Sequence, residues 1–568
     1  MPQDAFTLRY LCEELNLIFA GGKVNKVTQP TPDQLILTIY TGKKTEKLLL
    51  DVNPASPRMG IIKEEKESPL TAPNFCMLMR KHLLSSTLQS ISLIGFDRIV
   101  KIDFLTSAEF SDSVLKTVYV ELMGRYSNVI LTENGKILGG NRGINMFDNG
   151  VRPLIVSKPY VFPPTNNKRL PTDTQLIDIF NTCEIDKIAE CISSNVQGIA
   201  VSTAKEIEQG FLSSYNGENF GEKLFDYLNF YVYNTTKQPC IISVDGQVKD
   251  VCVYPYKNLA GEVEKFDFLY LAEQSFFERK ERLKIFNSKR ERLNSIVTSA
   301  IKKVKKKLTL ITAKERDALT CEDNRLKGEL ILANVYKFKG GESECLLDNY
   351  YDGTQVKIAL DSRLSASKNA ENYYKKYNKQ KRTLTALAPQ KEQAEKELNY
   401  LNSVLDEVVL CEDIEELVLI QSELENYGLI TERKATDKKK KNTSFCREYD
   451  VLGFKVRAGR NNAENDKLTF TSAPSDVWVH AKDYHSSHVL IEGLGKVVPE
   501  KVIVIASEIC AYYSKGREGG KTEVVYTLRK HVKKPPKSKP GFCTYDNFKS
   551  ITVCPEKHIE FLKSNQND

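Results

Sequence analysis

Three histidines lie within nine positions near the C-terminus, at His480, His485 and His488. Such a group can bind zinc, but a zinc site needs a fourth ligand at suitable spacing, and the neighbouring sequence offers none. The same stretch holds the only tryptophan, Trp478, and the basic residue Lys482. Aromatic and basic residues without a carboxylate pair or a nucleophile–base pattern are typical of RNA contact rather than catalysis. The stretch therefore predicts an RNA-binding surface with no metal ion and no cofactor.

A second candidate is the Asp97-Arg98 pair, which joins two predicted strands. The segment 121–128, with the sequence Glu-Leu-Met-Gly-Arg-Tyr-Ser-Asn, also ends one strand and begins another. An Asp–Arg pair at a strand junction is often a local salt bridge or part of a turn. It can also present the planar guanidinium to a phosphate or a base edge, with the aspartate accepting from a base amino group. The residues alone leave both interpretations open.

The N-terminal Met1-Pro2 suggests a different chemistry, because a secondary amine can attack a deoxyribose carbon and form an iminium. Gln3 stands where such a lyase needs an acid, however, and no zinc finger follows. We expect Pro2 to be an ordinary early residue. A DNA glycosylase or AP lyase is therefore one alternative function. A fibronectin-binding surface adhesin is another, and no export signal or wall anchor supports it as the primary role.

A long basic helix is predicted from about Leu271 to Ile311, because apolar residues recur every three or four positions without a proline or glycine. A second helical stretch of similar length is predicted over 367–409. We expect the two to form an antiparallel coiled coil, with a small module at residues 321–361 as its tip. The alternative is a helical hairpin packed on a globular body, with solvated lysines. The first helix exposes lysines that could neutralise phosphates, namely Lys302, Lys303, Lys305 and Lys306.

Before the coiled coil, the sequence pattern predicts a strand meander and two helices. Residues 185–211 have the rhythm of a helix-hairpin-helix, in which a small-residue turn exposes backbone N–H groups to a phosphate, although an ordinary helical linker fits equally well. After a basic linker that includes 438–441, the pattern returns to strands, among them 467–470, and a helix over 501–513. The sequence thus predicts an α+β multi-domain protein.

Length and composition agree with a soluble protein of several domains. The 568 residues exceed what one core can organise. The net charge of +8 is modest, but the basic helix and the linker concentrate it, which favours a polyanionic partner. The 13 cysteines are scattered, and no run approaches the roughly 20 apolar residues of a membrane span. We expect a reduced, cytoplasmic protein without membrane association.

These stretches together resemble the NFACT family, whose motifs occur here in the family's order across nearly the whole chain. The matching segments are 21–26 with 29–30, 74–83, 97–98, 123–128, 328–334, 369–377, 459–466, 476–482, 487–489 and 539–541. Tyr126 stands where many relatives have histidine, and Ser486 where many have glycine. Both departures keep their neighbours, so they affect local contacts more than function.

The resemblance implies a ribosome-associated quality-control factor rather than an enzyme. Members of the family bind large ribosomal subunits obstructed by peptidyl-tRNA and recruit aminoacyl-tRNA. They direct untemplated C-terminal tailing, with alanine in bacterial members, while the ribosome performs peptidyl transfer. The resemblance also implies a glycosylase-like N-terminal domain (1–172), a helix-hairpin-helix region (173–270), the coiled coil (271–435) and an α+β RNA-binding module (443–560).

Site residues follow from the same resemblance. The residues expected to bind tRNA are Asp97, Arg98, Glu121, Leu122, Met123 and Arg125. The residues expected to bind the ribosome or other RNA are Lys302, Lys303, Lys305, Lys306, Arg460, Asn461, Asn462, Trp478, His480, Lys482 and His488.

Overall fold

The structure is a computed structural model that describes residues 3–108, 111–142, 152, 154–164, 167–431, 446–536 and 538–555. The chain divides into two compact units, Met1–Arg282 and Leu283–Asp568. Both units mix helices and strands. Pro2 and the basic linker residues 438–441 lie outside the described residues, so the interpretations that rest on them have no structural test here.

The first unit begins with an antiparallel sheet of nine described strands in the order β4-β3-β2-β1-β5-β6-β7-β8-β9. Its strands are β1 (Lys23–Thr31), β2 (Gln34–Tyr40), β3 (Thr45–Asp51), β4 (Arg58–Ile62), β5 (Thr87–Leu93), β6 (Ile99–Ala108), β7 (Ser111–Glu121), β8 (Asn128–Glu133) and β9 (Lys136–Gly140). The helices α1 (Ala5–Phe19) and α2 (Asn74–Leu83) share its hydrophobic core. Along β3, Leu48 and Leu50 point into this core, whereas the intervening Leu49 is buried outside it, so both faces of the sheet are covered in part.

Helix α1 is fixed at both ends by local chemistry. The Asp4 side chain caps its N-terminus and accepts a hydrogen bond from the amide of Thr7 at 2.9 Å. Gly21, just after the helix, has a φ of +81°, a left-handed conformation that glycine adopts without a steric penalty. The buried face of the helix includes Phe6, Leu11 and Phe19.

A helical segment and a small sheet complete the first unit. Its elements are α3 (Leu176–Asn181), α4 (Ile188–Asn195), α5 (Val201–Leu212), α6 (Phe220–Asn234), β10 (Cys240–Val244), β11 (Gln247–Cys252) and β12 (Glu262–Lys265). The buried residues of α3 to α6 belong to the same core as α1 and the nine-stranded sheet. The segment therefore packs on the sheet domain. The long helix α7 (Leu269–Leu319) begins in this unit.

In the second unit, α7 runs antiparallel to α9 (Ala366–Leu410). The Nζ atom of Lys391 lies 2.7 Å from the carboxylate of Glu315, and Gln380 donates to the carbonyl of Asp317 at 2.9 Å. Nearer the other end, Leu293 shares a core with residues up to Val408. Rising numbers on one helix thus meet falling numbers on the other. The elements between them are α8 (Cys321–Ala333), β13 (Glu344–Asp348) and β14 (Gln355–Ala359).

A C-terminal domain follows α10 (Ile414–Asn426). Its described sheet has six strands in the order β15-β16-β18-β17-β19-β22. The elements are β15 (Arg447–Val451), β16 (Phe454–Ala458), α11 (Asn462–Thr471), β17 (Val477–Ala481), β18 (Val489–Ile491), α12 (Glu500–Tyr512), β19 (Thr522–Leu528), β20 (Val532–Lys533), β21 (Thr544–Tyr545) and β22 (Lys549–Val553). Side chains alternate along β17: Val477 and Val479 face the core with α12, whereas Trp478 packs with Leu468 on the opposite face.

One local prediction was wrong. Residues 467–470 form the last part of α11 rather than a strand. The helix is set by its cap, because the Asn461 side chain accepts a hydrogen bond from the amide of Glu464 at 2.8 Å. Within the described residues, none of the helices combines the length and apolar character that crossing a bilayer requires.

Candidate nucleic-acid interface

The Asp97-Arg98 pair forms the turn between β5 and β6. One carboxylate oxygen of Asp97 accepts from the backbone amide of Arg98 at 2.7 Å, and the other accepts from Nε2 of Gln197 at 3.0 Å. The carbonyl of Arg98 accepts from the amide of Leu122 at 2.9 Å. The Asp–Arg turn is therefore joined directly to the segment that begins at Glu121, and both residues of the pair are partly exposed.

Glu121 and Leu122, at the start of the segment that contacts this turn, are both buried. The carboxylate of Glu121 accepts two hydrogen bonds from Arg152, at 2.6 and 3.1 Å, and one from the hydroxyl of Tyr160 at 2.7 Å. Burial and the adjacent Glu121 carboxylate raise the pKa of Tyr160, so the phenol keeps its proton. Glu121 thus organises neighbouring protein, and its contribution to tRNA binding stays a prediction.

The turn between α4 and α5 contacts the Asp–Arg turn. Gly198 has a φ of +76°, and a Cβ atom placed there would lie 2.2 Å from the carbonyl oxygen of Phe96 and 2.4 Å from Cβ of Ala5. Only glycine fits this position without displacing a neighbour. Asp4 fixes the N-terminal end of α5. Its carboxylate accepts hydrogen bonds from the amide of Ala200 at 3.1 Å and from the hydroxyl of Thr203 at 2.7 Å.

These elements surround a cavity of about 520 Å³ in the first unit. Its lining includes Arg98, Met123 and Lys168, the segment from Gln197 to Ser202 that leads into α5, and the carboxyl groups of Asp4, Asp97 and Asp250. The first amide N–H groups of a helix have no intrahelical acceptor and attract anions. The arrangement can present a guanidinium, an ammonium and a helix N-terminus to one phosphate-bearing ligand.

Arg125 lies in a short 3₁₀ turn, Gly124–Tyr126, after Met123. Its side chain is exposed, and its guanidinium carbon lies 4.7 Å from the centroid of the Tyr126 ring. Tyr126 is 66% exposed. A stacked arginine–tyrosine pair at the surface can accept a nucleotide base or a phosphate.

Four lysines on α7 form a solvent-exposed group that we call the lysine row. Ile301 and Val304 point into the interface with α9 and are buried, whereas the two lysines on each side of Val304 are exposed. None of the row's side chains forms an ion pair with a residue that the structure describes. Its members are Lys302, Lys303, Lys305 and Lys306, and all are exposed. Such a row can neutralise consecutive phosphates.

Three of the predicted RNA-binding residues have structural partners in the C-terminal domain. The guanidinium of Arg460 pairs with Glu464, with Nη2 2.8 Å from Oε1. Asn461 caps α11, as described above. Asn462 donates from its side chain to the hydroxyl of Ser403 on α9 at 3.1 Å. Both asparagines are buried, which directs their side chains to the fold instead of the exposed surface.

Two residues of the 478–488 stretch, Trp478 and His488, are buried too. Trp478 is fully buried and His488 is 1% exposed, so neither can stack on a base at the outer surface. His480 lies parallel to Trp478 with ring centroids 5.4 Å apart. Lys482 remains half-exposed and donates to both carboxylate oxygens of Glu523 at 3.0 Å. The described residues contain no group of three or more His, Cys, Asp or Glu arranged to hold a metal ion.

Sequence reasoning missed two features. The first is that Gln197 and Gly198 lie against the Asp–Arg turn. The sequence predicted a turn within residues 185–211 but not this contact. The second is that Asp406 and Glu407 of α9 line the same cavity as Trp478. Both juxtapositions join residues that are far apart in the sequence, and no local pattern encodes them.

Comparison with known proteins assigns the chain to a family. Residues 4–443 match the model of the NFACT N-terminal and middle domains, and residues 444–542 match the NFACT protein RNA binding domain. The chain is 30% identical over 584 residues to "Rqc2 homolog RqcH" of Streptococcus pneumoniae (strain ATCC BAA-255 / R6), covering 99% of this chain and 100% of the relative. It is 29% identical over 571 residues to "Rqc2 homolog RqcH" of Bacillus subtilis (strain 168), covering 98% of each.

A solved structure, the N-terminal part of the fibronectin/fibrinogen-binding protein from Streptococcus suis, is 22% identical and matches with a TM-score of 0.42. The match covers 48% of this chain and 98% of that structure. At this TM-score the likeness carries no argument about the chain. The two family models, which together span nearly the whole described sequence, carry the assignment instead. The chain belongs to the NFACT family.

Proposed function

We propose that this protein is a ribosome-associated quality-control factor of the cytoplasm. It binds large ribosomal subunits that carry peptidyl-tRNA and recruits alanyl-tRNA for C-terminal tailing of the stalled chain. The ribosome performs peptidyl transfer, and this protein positions the tRNA. The nearly full-length similarity to proteins named Rqc2 homolog RqcH supports the role, as does the match to an RNA-binding domain.

The observation that carries the tRNA part of the proposal is the cavity in the first unit. Arg98 and Lys168 contribute positive charge, and α5 begins at the same place. Asp97 is held by two hydrogen bonds, which fixes the turn from which the Arg98 guanidinium extends. A ligand with both phosphates and base edges matches this combination, because the arginine fork can bind either group bidentately.

The lysine row supports ribosome contact. Ribosomal RNA presents closely spaced phosphates, and exposed lysines without an ion-pair partner in the described residues gain most from neutralising them. The antiparallel α7–α9 pair displays this row along a rigid helix. We therefore assign tRNA contact to the first unit, and contact with large-subunit RNA to the α7 row and the C-terminal domain.

We also propose the domain division that the resemblance implied: a glycosylase-like domain over 1–172, a helix-hairpin-helix region over 173–270, a coiled coil over 271–435 with its tip at 321–361, and an RNA-binding module over 443–560. The tight turn at Gly198 between α4 and α5 supports the second of these. No observation on this chain favours fibronectin binding. Gln3, beside Pro2, donates its side-chain amide to the Met59 carbonyl and to the carboxylate of Glu273.

Tailing by the Arg98→Ala variant tests the proposal. In a reconstituted reaction with stalled large subunits, we expect alanine tails to be lost, because one bidentate contact to a base or phosphate is worth about 1–3 kcal/mol. Lys136→Ala is the matched control, since Lys136 is an exposed cation of the same unit that lies outside the cavity. Circular dichroism checks that both variants fold. Tails of normal length from Arg98→Ala would remove the cavity from the proposed function.

A further inference from the structure

A second cavity, of about 290 Å³, lies inside the second unit where the end of α9 meets the C-terminal domain. Its walls include Asp406 and Glu407 from α9, and Trp478, His480 and His488 from the sheet. The volume is at the lower end of the range of about 300–1,000 Å³ that is usual for small-molecule pockets. It is large enough for one flat ring system and too small for a helix or a strand.

Four polar atoms on these walls are buried without a hydrogen-bond partner among the described residues. They are Nε1 of Trp478, Nδ1 of His480, Oδ2 of Asp406 and Oε2 of Glu407. Trp478 is fully buried, so its indole N–H has no route to the outer solvent except through the cavity. Buried polar groups in native proteins nearly always have partners. Four in one cavity therefore point to a polar ligand that enters it.

The protonation states define what that ligand must offer. Burial lowers the pKa of His480 to about 4 and lowers the pKa of His488 well below its ordinary value, so both rings are neutral near pH 7. Burial raises the pKa of Glu407, which favours its protonated form. The indole N–H can only donate. The walls thus mix donors and acceptors but supply little positive charge.

The two arginines beside the cavity do not change this balance. Arg447 pairs with Glu416, and Arg460 pairs with Glu464. Lys515 is paired as well, with its Nζ atom 3.3 Å from Oδ1 of Asp406. A phosphate inside would therefore face the carboxyl groups of α9, and the nearby cations already have acidic partners. A planar ring with N–H and carbonyl groups at its edge satisfies donors and acceptors together, as the edge of a nucleobase does.

The surroundings fit a single-stranded chain. Tyr484 and Phe542 line the cavity and are 45% and 56% exposed, so they form its mouth. An adjoining groove contains Lys396, whose exposed ammonium group pairs with Glu392 at 2.6 Å, and Lys539, whose Nζ atom lies 4.4 Å from the ring centroid of Tyr427. An exposed ion pair of this kind contributes little, so Lys396 can exchange Glu392 for a phosphate. The two spaces share Phe542. The phosphates of a bound strand would therefore meet cations outside the cavity. One of its bases would meet aromatic rings at the mouth of the cavity and inside it.

We propose that this cavity binds one unstacked base of a single-stranded RNA segment, with the flanking phosphates along Lys396 and Lys539. The buried Trp478 and His480 then recognise the base from within the domain. This inference rests on the proposed RNA binding of the second unit and deepens it, because it names the binding element as a single base.

The single tryptophan makes the test direct, since Trp478 alone supplies the indole fluorescence of the full chain. The full-length protein is titrated with a short single-stranded oligoribonucleotide and with an oligonucleotide of equal length and charge that has abasic positions. We expect the base-containing strand to change the emission saturably. We also expect it to bind about tenfold more tightly than the abasic strand, the difference that one buried hydrogen bond supplies.

Glu407→Gln and Asp406→Asn keep the shape of the wall and alter its hydrogen-bonding groups. Each is expected to reduce the preference for the base-containing strand about tenfold and to leave the affinity for the abasic strand unchanged. Glu500→Gln, an exposed carboxyl of the same unit, is the control and should keep the preference. Two variants are used so that a folding defect in one leaves the other informative.

The remaining outcomes overturn the inference in distinguishable ways. Equal binding of both strands with no change in Trp478 emission would mean a cavity filled by water only, while RNA binding through the lysines would stand. If neither strand binds, the base-binding role of the cavity is refuted, and RNA contact by the second unit is also removed from the proposed function.

Discussion

Gly198→Ala is expected to destabilise the first unit by about 2–5 kcal/mol. The left-handed backbone at φ +76° costs a residue with a Cβ about 1–2 kcal/mol. The added methyl group would lie 2.2 Å from the Phe96 carbonyl oxygen and 2.4 Å from Cβ of Ala5, and overpacking of this kind typically costs about 1–3 kcal/mol more. A total of this size is a large share of the roughly 5–15 kcal/mol by which a domain is stable.

Gly217→Ala is the matched control. Gly217 has a φ of +92°, but a Cβ atom there would have no neighbour within 4 Å, so only the backbone cost of about 1–2 kcal/mol applies. Urea unfolding followed by circular dichroism measures both variants, and hydrogen exchange of peptides covering 92–100 and 195–205 locates the effect. The difference between the variants isolates the close contact.

Gly198→Ala also tests how the cavity of the first unit is organised. The Phe96 carbonyl immediately precedes Asp97, so a methyl group at position 198 displaces the turn from which Arg98 extends. We expect Gly198→Ala to weaken tRNA binding under conditions in which the variant is folded, and Gly217→Ala to leave it unchanged. Equal stability and equal tRNA binding in the two variants would refute the contact on which this reasoning rests.

Three other predictions address separate features. Replacing the four residues of the lysine row by glutamine should weaken binding to the large subunit and reduce the slope of log affinity against log salt by about 3, and an unchanged slope would remove the row from the interface. Burial raises the pKa of Glu273 to about 8, so the native state holds a proton that the unfolded state releases above its ordinary value of about 4.3. The free energy of unfolding should therefore fall as pH rises between these values. Glu273→Gln should reduce that slope in urea unfolding, to which other buried carboxyls such as Glu407 also contribute, and the exposed Glu278→Gln should leave it unchanged. Without RNA, acrylamide should quench Trp478 fluorescence weakly because the ring is buried, and strong quenching would contradict that burial.

Periodicity predicted the long elements well, because their packing follows from local repeats. The basic helix expected over 271–311 runs from Leu269 to Leu319, and its partner expected over 367–409 runs from Ala366 to Leu410. Short elements were less secure. Residues 467–470 look like a strand by composition, yet the Asn461 cap places them in a helix. The cap at Asn461 determines the secondary structure of these residues, and a four-residue pattern cannot outweigh it.

The sites were predictable only as separate pieces. The Asp–Arg pair and the turn at Gly198 were each noticed, but their contact joins segments about 100 residues apart in the sequence and depends on how α5 packs on the sheet. Trp478 looked like a surface platform because basic residues surround it. The alternation of β17 turns it inward, and that direction depends on which face of the sheet α11 covers.

Sequencing of RNA that co-purifies with the tagged protein from cells tests the central claim most directly. The wild-type protein should enrich large-subunit rRNA together with one tRNA isoacceptor family, that of alanine. Arg98→Ala should retain the rRNA and lose the tRNA. Enrichment of neither RNA by the wild-type protein, or tRNA recovery unaffected by Arg98→Ala, would contradict the account.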